Sequence, residues 1–507
     1  MPHEFPFAWF LAAFAAYTVL LFVISNLTTR SLKSNSFFSG DHNAPWPIVA
    51  YGMVGASISG VTFISVPGNV WTQNFFYMPL VLGFVVGYVV IAKVLLPLYY
   101  KMQVTSIYTY LGERFGDITH KTGSIVFMVS RILGAAVRIF VVVVVLYTFI
   151  PKGSMSDTLV FSIVTAIFLT LVYLYTYKGG VKTIIWTDVL QTTLMLLAVF
   201  FTIYFVGKDM DWKIGGMKSY MGWFDWNWGD GTNAVKQFVA GIFMTVAMTG
   251  LDQGMMQKNL ACKDIKSAQK NMYTTSIIIV VVNLFFLFLG ALLCVYVQSK
   301  GGMDALGITK TDQIFPVVAS RYLGVGVGIL FLIGLISAAY PSAGAALTSL
   351  TTSFCIDFVG FNKRTDLHRN RKEKIRKWVQ AFFTVLFFVI ILLLFLYSND
   401  AVINLVYKFA SYTYGPLLGM FFFGILTKVK VKDGATPWIA VASPLLCLVF
   451  NLIAKRYFGF DLGFSLLVVN GALSFLGMWL FRVRPGKGAV APETVKSNLL
   501  NADKTVE

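Results

Sequence analysis

In water, a chain of 507 residues would be expected to divide into several domains, yet 57% of these residues are apolar and only 13% charged. A water-facing surface carries roughly a quarter charged residues, so most of this surface faces lipid, which excludes a soluble multidomain protein. The formal charge of +18 sits on Lys and Arg in short loops between apolar runs, the placement of cytoplasmic loops and not of a nucleic-acid-binding face.

A membrane span needs roughly 20 apolar residues. Along the chain thirteen runs qualify: 7–26, 47–66, 75–99, 122–149, 158–177, 183–207, 235–256, 272–298, 322–355, 378–398, 401–426, 437–454 and 463–481. The reading is an all-α polytopic membrane protein. The first run follows His3 and Glu4 instead of basic residues, and Asn26-Leu27-Thr28 is a poor cleavage site, so it reads as a retained span. Residues 105–120 are amphipathic and too short to span, and are expected to lie flat at the inner surface.

Basic residues orient the chain. With the N-terminus outside, alternate loops fall inside and carry Arg30 and Lys33; Lys101, Arg114 and Lys121; Lys178 and Lys182; Lys258, Lys263, Lys266 and Lys270; the 363–377 cluster; Lys428, Lys430 and Lys432; and Arg482, Arg484 and Lys487. The long outer loop 208–234 balances its charges and holds Trp212, Trp223, Trp226 and Trp228, which suit a membrane–water interface. The polar tail, 485–507, then lies in the cytoplasm. Cys262, Cys294, Cys355 and Cys447 are scattered in or beside apolar runs with no metal-type spacing, and read as small buried hydrophobes.

Three places break helix preference inside the runs. The second span reads Gly55-Ala56-Ser57-Ile58-Ser59-Gly60-Val61-Thr62, with Pro67 and Gly68 beyond. Small and hydroxyl-bearing residues there suggest an interrupted helix lining a cavity, or close packing through small residues. The ninth span carries Ser337-Ala338-Ala339-Tyr340-Pro341-Ser342, where proline frees a carbonyl one turn back beside a hydroxyl. Oxygens of this kind suit a hard cation; a plain proline kink is the alternative. In the sixth run, Asp188 is an ionisable residue within a span, a functional candidate by default, or a structural partner of Lys182 near the inner face. Arg131 and Arg138 share one face of the fourth span; one of them could attract an anion, while Arg131 could also snorkel to headgroups. A second discontinuous helix is expected at 235–256, with Gly241, Thr245, Thr249 and Gly250. Paired broken helices are the pattern of secondary transporters built from inverted repeats.

At these residues the chain resembles the sodium:solute symporter family. The resemblance runs from about residue 30 to 430. It includes Ser36-Phe37-Phe38-Ser39-Gly40, the stretch from Gly179-Gly180 to Gln191, and Asp252-Gln253. It continues through Thr348-Ser349 with Asp357 and ends on Gly415-Pro416-Leu417-Leu418-Gly419. It implies a leucine-transporter-type core of two inverted five-helix repeats, with one leading and two trailing helices. The divisions become a leading helix and inner loop (1–46), first repeat (47–207), outer loop (208–234), second repeat (235–430), trailing helices (431–484) and tail. The resemblance also implies symport of a small organic solute with Na+ across the plasma (inner) membrane, and no enzymatic activity.

Carried over by the resemblance, the main sodium site falls on the carbonyls of Gly55 and Ile58, the carbonyl of Ala338, position Pro341 and the Ser342 hydroxyl. Family members usually have serine where this chain has Pro341. A second site in some members uses the aspartate matching Asp188 with further hydroxyls, which appear here as Gly344 and Ala345. One sodium is therefore expected, with Asp188 serving structure or coupling. The solute is expected beside Ser57, Ser59, Thr62, Thr245 and Met248. The lysine used by sugar carriers falls on Ile279, which weakens a hexose assignment. Arg138 resembles the arginine that holds the carboxylate in sialic acid carriers, which points to a carboxylated solute such as a sialic acid. A sodium-coupled sugar or inositol symporter and a proton-coupled carrier are the rival readings. Implied partners are the solute, sodium and the lipid bilayer.

Overall fold

The computed structural model describes residues 6–29, 36–39, 42–151, 153–364, 366–397 and 402–483. His3, Glu4, Arg30, Lys33, Gly40, Arg484, Lys487 and the tail 485–507 lie outside the described residues. Regular structure among the described residues is helical, with only isolated bridges between loops.

Among the described residues ten helices are long and apolar enough to cross a membrane, and two bent helix pairs pass the same test when each pair is taken together. In chain order they begin with α1 (Phe7–Thr29), the bent pair α2 (Trp46–Ser57) and α3 (Gly60–Gln73), and α4 (Met78–Met102). The short α5 (Thr109–Phe115) leads into α6 (Asp117–Thr148). Next come α7 (Asp157–Tyr177) and α8 (Gly180–Asp209), joined where Gly180 adopts a φ of 54°. That joint needs glycine, because a Cβ there would strike the backbone of Phe37. The second bent pair is α9 (Ala234–Gly250) and α10 (Gln253–Leu260), followed by α11 (Ile265–Ser299), α12 (Val325–Phe358) and α13 (Arg369–Tyr397). The chain closes with α14 (Val402–Leu426), α15 (Thr436–Phe458) and α16 (Leu466–Leu480). The run at 401–426 forms α14, whose side chains are described from Tyr412 onward.

Apolar side chains cover the outside. On α13 these are Trp378, Phe382, Val385 and Val389, and on α15 Trp438, Val441 and Leu445. Polar groups are gathered inside, the reverse of a soluble protein and what lipid as solvent selects. α12 is the most enclosed of the ten long helices: every residue from Phe331 to Ser353 is buried except Ile333. It packs on α7, α8, α6 and both halves of the first bent span.

Two stretches differ in detail from expectation. Residues 105–120 are not one separate segment: Ser106, Ile107, Tyr108 and Leu111 are fully buried against protein, Glu113, Asp117 and Ile118 are exposed, and 117–120 already belong to α6. The amphipathic pattern there arises from packing against protein, with Tyr108 between Phe127 and Phe421. Nor does Pro341 interrupt its span. α12 runs through it as one helix, because neighbours on all sides hold the turn that the missing N–H weakens.

Candidate solute and ion site

The first bent span turns by 58° between α2 and α3. Gly55, Ala56, Ser57, Ser59 and Gly60 offer small side chains, and its serines and glycines are weak helix formers. Ile58 and Ser59 are extended (φ −89°, ψ 100° and φ −86°, ψ 173°). The Ile58 N–H donates to Val54 at 2.9 Å and the Phe63 N–H to Ser59 at 3.1 Å. Beyond Val54, the last carbonyls of α2 have no helical successor to bond. At the start of α3, Ser59 makes no side-chain cap. Gly60 is required because a Cβ would collide with Val142, and Gly55 because it would collide with the Thr192 hydroxyl on α8.

The second bent span turns by 68°. A π-helical turn at Val246–Gly250 ends on Leu251, and Asp252 caps α10 by accepting the Met255 N–H at 3.0 Å. The freed carbonyls are taken by tyrosines, Tyr99 donating to Gly250 at 3.0 Å and Tyr108 to Leu251 at 2.9 Å. Gln253 accepts from the Ile107 N–H and donates to the Thr105 carbonyl.

Between the two breaks lies a cavity of about 810 Å³ including its open mouth. The six expected solute residues, Ser57, Ser59, Thr62, Arg138, Thr245 and Met248, all line it, as do Tyr88, Arg131 and Asn283. Ser57 and Tyr88 approach within 3.4 Å, and the Asn283 Oδ1 is buried with no hydrogen-bond partner. Two guanidiniums and no carboxylate line the walls. Arg131 is neutralised from behind: its Nη1 lies 3.1 Å from Asp252, which also accepts from Tyr414 at 3.2 Å. Arg131 is therefore buried in an ion pair and does not snorkel to headgroups. Tyr77 lies on both this cavity and a smaller one lined by Asn69, Gln73, Asn74 and Gln237. Asn74 in turn lies beside Gly222, so the smaller cavity adjoins the 208–234 loop.

On the ion side, Gly55 and Ile58 end α2, and Ala338, Pro341 and Ser342 lie buried on α12, which touches both halves of the bent span. The Ser342 hydroxyl has no hydrogen-bond partner. Asp188 lies behind α2, where a Cβ on Gly52 would come within 3.1 Å of the Asp188 Cβ. Its partner is not Lys182: Lys258, from α10, sits 2.5 Å from Asp188 Oδ2 with both residues buried. Lys258 reads from sequence as an inner-loop charge and is instead an interior one.

Sequence reasoning missed both of these pairings, Arg131–Asp252 and Asp188–Lys258. One signal was present, since charges inside apolar surroundings must find partners. Asp357 entered only as part of the family resemblance, with no role given to its carboxylate, which accepts from Ser106 (3.0 Å), Ser124 (3.0 Å), Ser353 (2.6 Å) and His120 (3.1 Å). That cluster ties α12 to α6 and to the segment before α5.

The profile of the sodium:solute symporter family matches residues 37–438. The sodium/sialic acid symporter SiaT of Proteus mirabilis is 22% identical over 484 residues, 93% of this chain and 94% of its own length. The sodium-coupled monocarboxylate transporter 1 of Mus musculus is 22% identical over 415 residues, 79% of this chain and 66% of its own. Among solved structures, a substrate-bound, outward-open Na+-coupled sialic acid symporter superposes with a TM-score of 0.78 at 20% identity, covering 93% of this chain and 96% of that one. A nucleobase-cation-symport-1 family transporter in a closed conformation gives 0.54 at 14% identity, covering 88% and 94%.

Proposed function

The chain belongs to the sodium:solute symporter family, and from that membership we propose a reading of its topology, its ion site and its solute. It is a multi-pass membrane transporter, not an enzyme, and moves a small solute together with Na+ as the co-transported ion.

The topology is thirteen spans with the N-terminus outside and the C-terminus in the cytoplasm, across the plasma (inner) membrane. Spans two to eleven form two inverted repeats of five. In support, each bent pair stands first in its run of five spans, and basic residues concentrate in alternate loops. Sodium binds the carbonyls of Gly55, Ile58 and Ala338 and the Ser342 hydroxyl, with a carbonyl or water in place of the hydroxyl that Pro341 lacks. What supports this is the extended backbone of Ile58 at the end of α2, the unpartnered buried hydroxyl of Ser342, and the preference of a hard cation for oxygen.

The solute is a small carboxylate such as a sialic acid. One observation carries this: the cavity between the breaks presents two guanidiniums, hydroxyls and amides but no carboxylate. Asp252 already holds Arg131, and Arg138, on the same face of α6, is the arginine that the family resemblance gives to the solute's carboxylate. Sialic acids and monocarboxylates, the solutes in the relatives' names, share that group.

The test is a thermal-shift screen of purified protein with and without sodium, across carboxylic acids, neutral sugars and amino acids. Stabilisation by a bound ligand grows with its concentration over its dissociation constant. A sodium-dependent shift with acids alone is expected. Arg138→Ala should cost acid binding about 2–5 kcal/mol, the usual loss on truncating a buried charged partner, and spare neutral compounds. A shift with neutral sugars that survives in Arg138→Ala overturns the carboxylate.

A further inference from the structure

The Asp188–Lys258 pair stands apart from the solute cavity. Neither residue lines it, and both are buried, with their charged atoms 2.5 Å apart. The two come from elements with different roles. Asp188 is on the continuous α8, while Lys258 is on α10, the half-helix beyond the second break. The lysine thus reaches from a bent span into the layer behind α2.

The carboxylate is only half satisfied. Asp188 Oδ1, opposite the oxygen that Lys258 holds, has no partner although it is buried. On the facing α12 the Thr348 hydroxyl is also buried and unpartnered. Buried polar atoms are rarely left unsatisfied, and carboxylate and hydroxyl oxygens are what a hard cation binds. The fixed positive charge facing that carboxylate is Lys258. α10 is seated on α12 at the same level, where a Cβ on Gly254 would come within 3.2 Å of the Ala345 carbonyl. At Gly344 the space for a side chain is taken by the Tyr175 hydroxyl, which donates to the Tyr340 carbonyl at 3.0 Å.

We infer that the Lys258 ammonium is a tethered cation occupying what would otherwise be a second sodium site at Asp188, and that it holds the chain to one sodium per transport cycle. A mobile ion and an ammonium at this carboxylate exclude each other by charge and by space. The lysine differs in staying with the protein, so it neutralises Asp188 without drawing on the sodium gradient. This inference rests on the proposed ion site at Gly55, Ile58, Ala338 and Ser342, which takes the one sodium that remains.

The experiment is equilibrium binding of radioactive sodium to purified full-length protein, with potassium as the control cation. Wild type is expected to bind one ion per chain, and Lys258→Ala to bind two with a steeper sodium dependence. Lys258→Arg, which keeps the charge, should stay at one, and so should the neutral double variant Asp188→Asn with Lys258→Met. A folded Lys258→Ala that binds no more sodium than wild type overturns the tethered cation, as does wild type binding two. No sodium on wild type instead overturns the ion site on which the inference rests. If Lys258→Ala folds poorly in potassium, restoration by sodium supports the proposal. Failure to recover in high sodium overturns it, because an ion able to replace the ammonium would have restored the fold.

Discussion

The two bent spans turn by similar angles, 58° and 68°, but fill their breaks in opposite ways. At α2–α3 the chain passes through small neutral residues, α3 starts with no side-chain cap, and Ala56, Ser57, Ile58 and Ser59 line the cavity. At α9–α10 the protein satisfies the break itself. Tyr99 and Tyr108 take the freed carbonyls, Asp252 caps the next helix, and Arg131, Tyr414 and Gln253 fasten the joint to α6, α14 and the segment before α5. An unwound backbone at membrane depth must be satisfied by something. Where protein supplies the partners, the break is a joint; where it does not, the proposed reading leaves the partners to ion and solute.

The largest expected effect breaks this comparison at its charged end. Asp252→Asn keeps the size of the cap but leaves the buried Arg131 uncompensated, which should cost about 3–5 kcal/mol of stability. Ser59→Ala, at the uncapped break, should leave the melting temperature in sodium-free buffer nearly unchanged. Thermal unfolding of the two variants in detergent reads both, and equal losses would erase the distinction between joint and binding break.

A second substitution sharpens the open end. If the end of α2 is completed by an ion, that ion needs oxygen from α12, and the Ser342 hydroxyl is buried there without a protein partner. Ser342→Ala should weaken sodium binding roughly 10–100-fold, the range seen when a supporting group of a metal site is removed. The sodium-free melting temperature should hold, because no protein hydrogen bond is lost. Unchanged sodium dependence in that variant would remove Ser342 from the site.

How far the sequence could be read follows the same divide. The open break was legible, because glycines and serines clustered at mid-span depth weaken a helix and suit a cavity wall, and all six expected solute residues line one cavity. The satisfied break was legible only in outline. Gly241, Thr245, Thr249 and Gly250 announced a weak helix, but its fastenings are remote in the chain. Tyr99, Tyr108 and Tyr414 stand 151, 143 and 162 residues from the residues whose atoms they hold, and no periodicity links them. The pair of Asp188 and Lys258 spans 70 residues. Lys258 reads as a loop charge because it follows the break and precedes Lys263, Lys266 and Lys270. Pro341 misled in the other direction. It looks like an interruption in one dimension, yet it is carried as helix because α12 is buried along nearly its whole inner length.

The smallest effect tests whether charge pairing, and not capping as such, makes Asp252 important. Asp264 caps α11 as Asp252 caps α10, accepting the Ser267 N–H at 2.8 Å, but it lies exposed in the loop between the helices. The Ser267 backbone N–H holds its carboxyl below the usual carboxylate range. A depressed acid contributes stability above its unfolded value and loses it as pH falls through the folded one. Wild type should therefore exceed Asp264→Ala slightly in melting temperature near neutrality, and the gap should close on acidification through and below the carboxylate range. Water and salt screen an exposed cap, so the gap should stay well short of the loss in Asp252→Asn. A loss in Asp264→Ala as large as in Asp252→Asn would mean that the cap alone, without Arg131, accounts for the second joint.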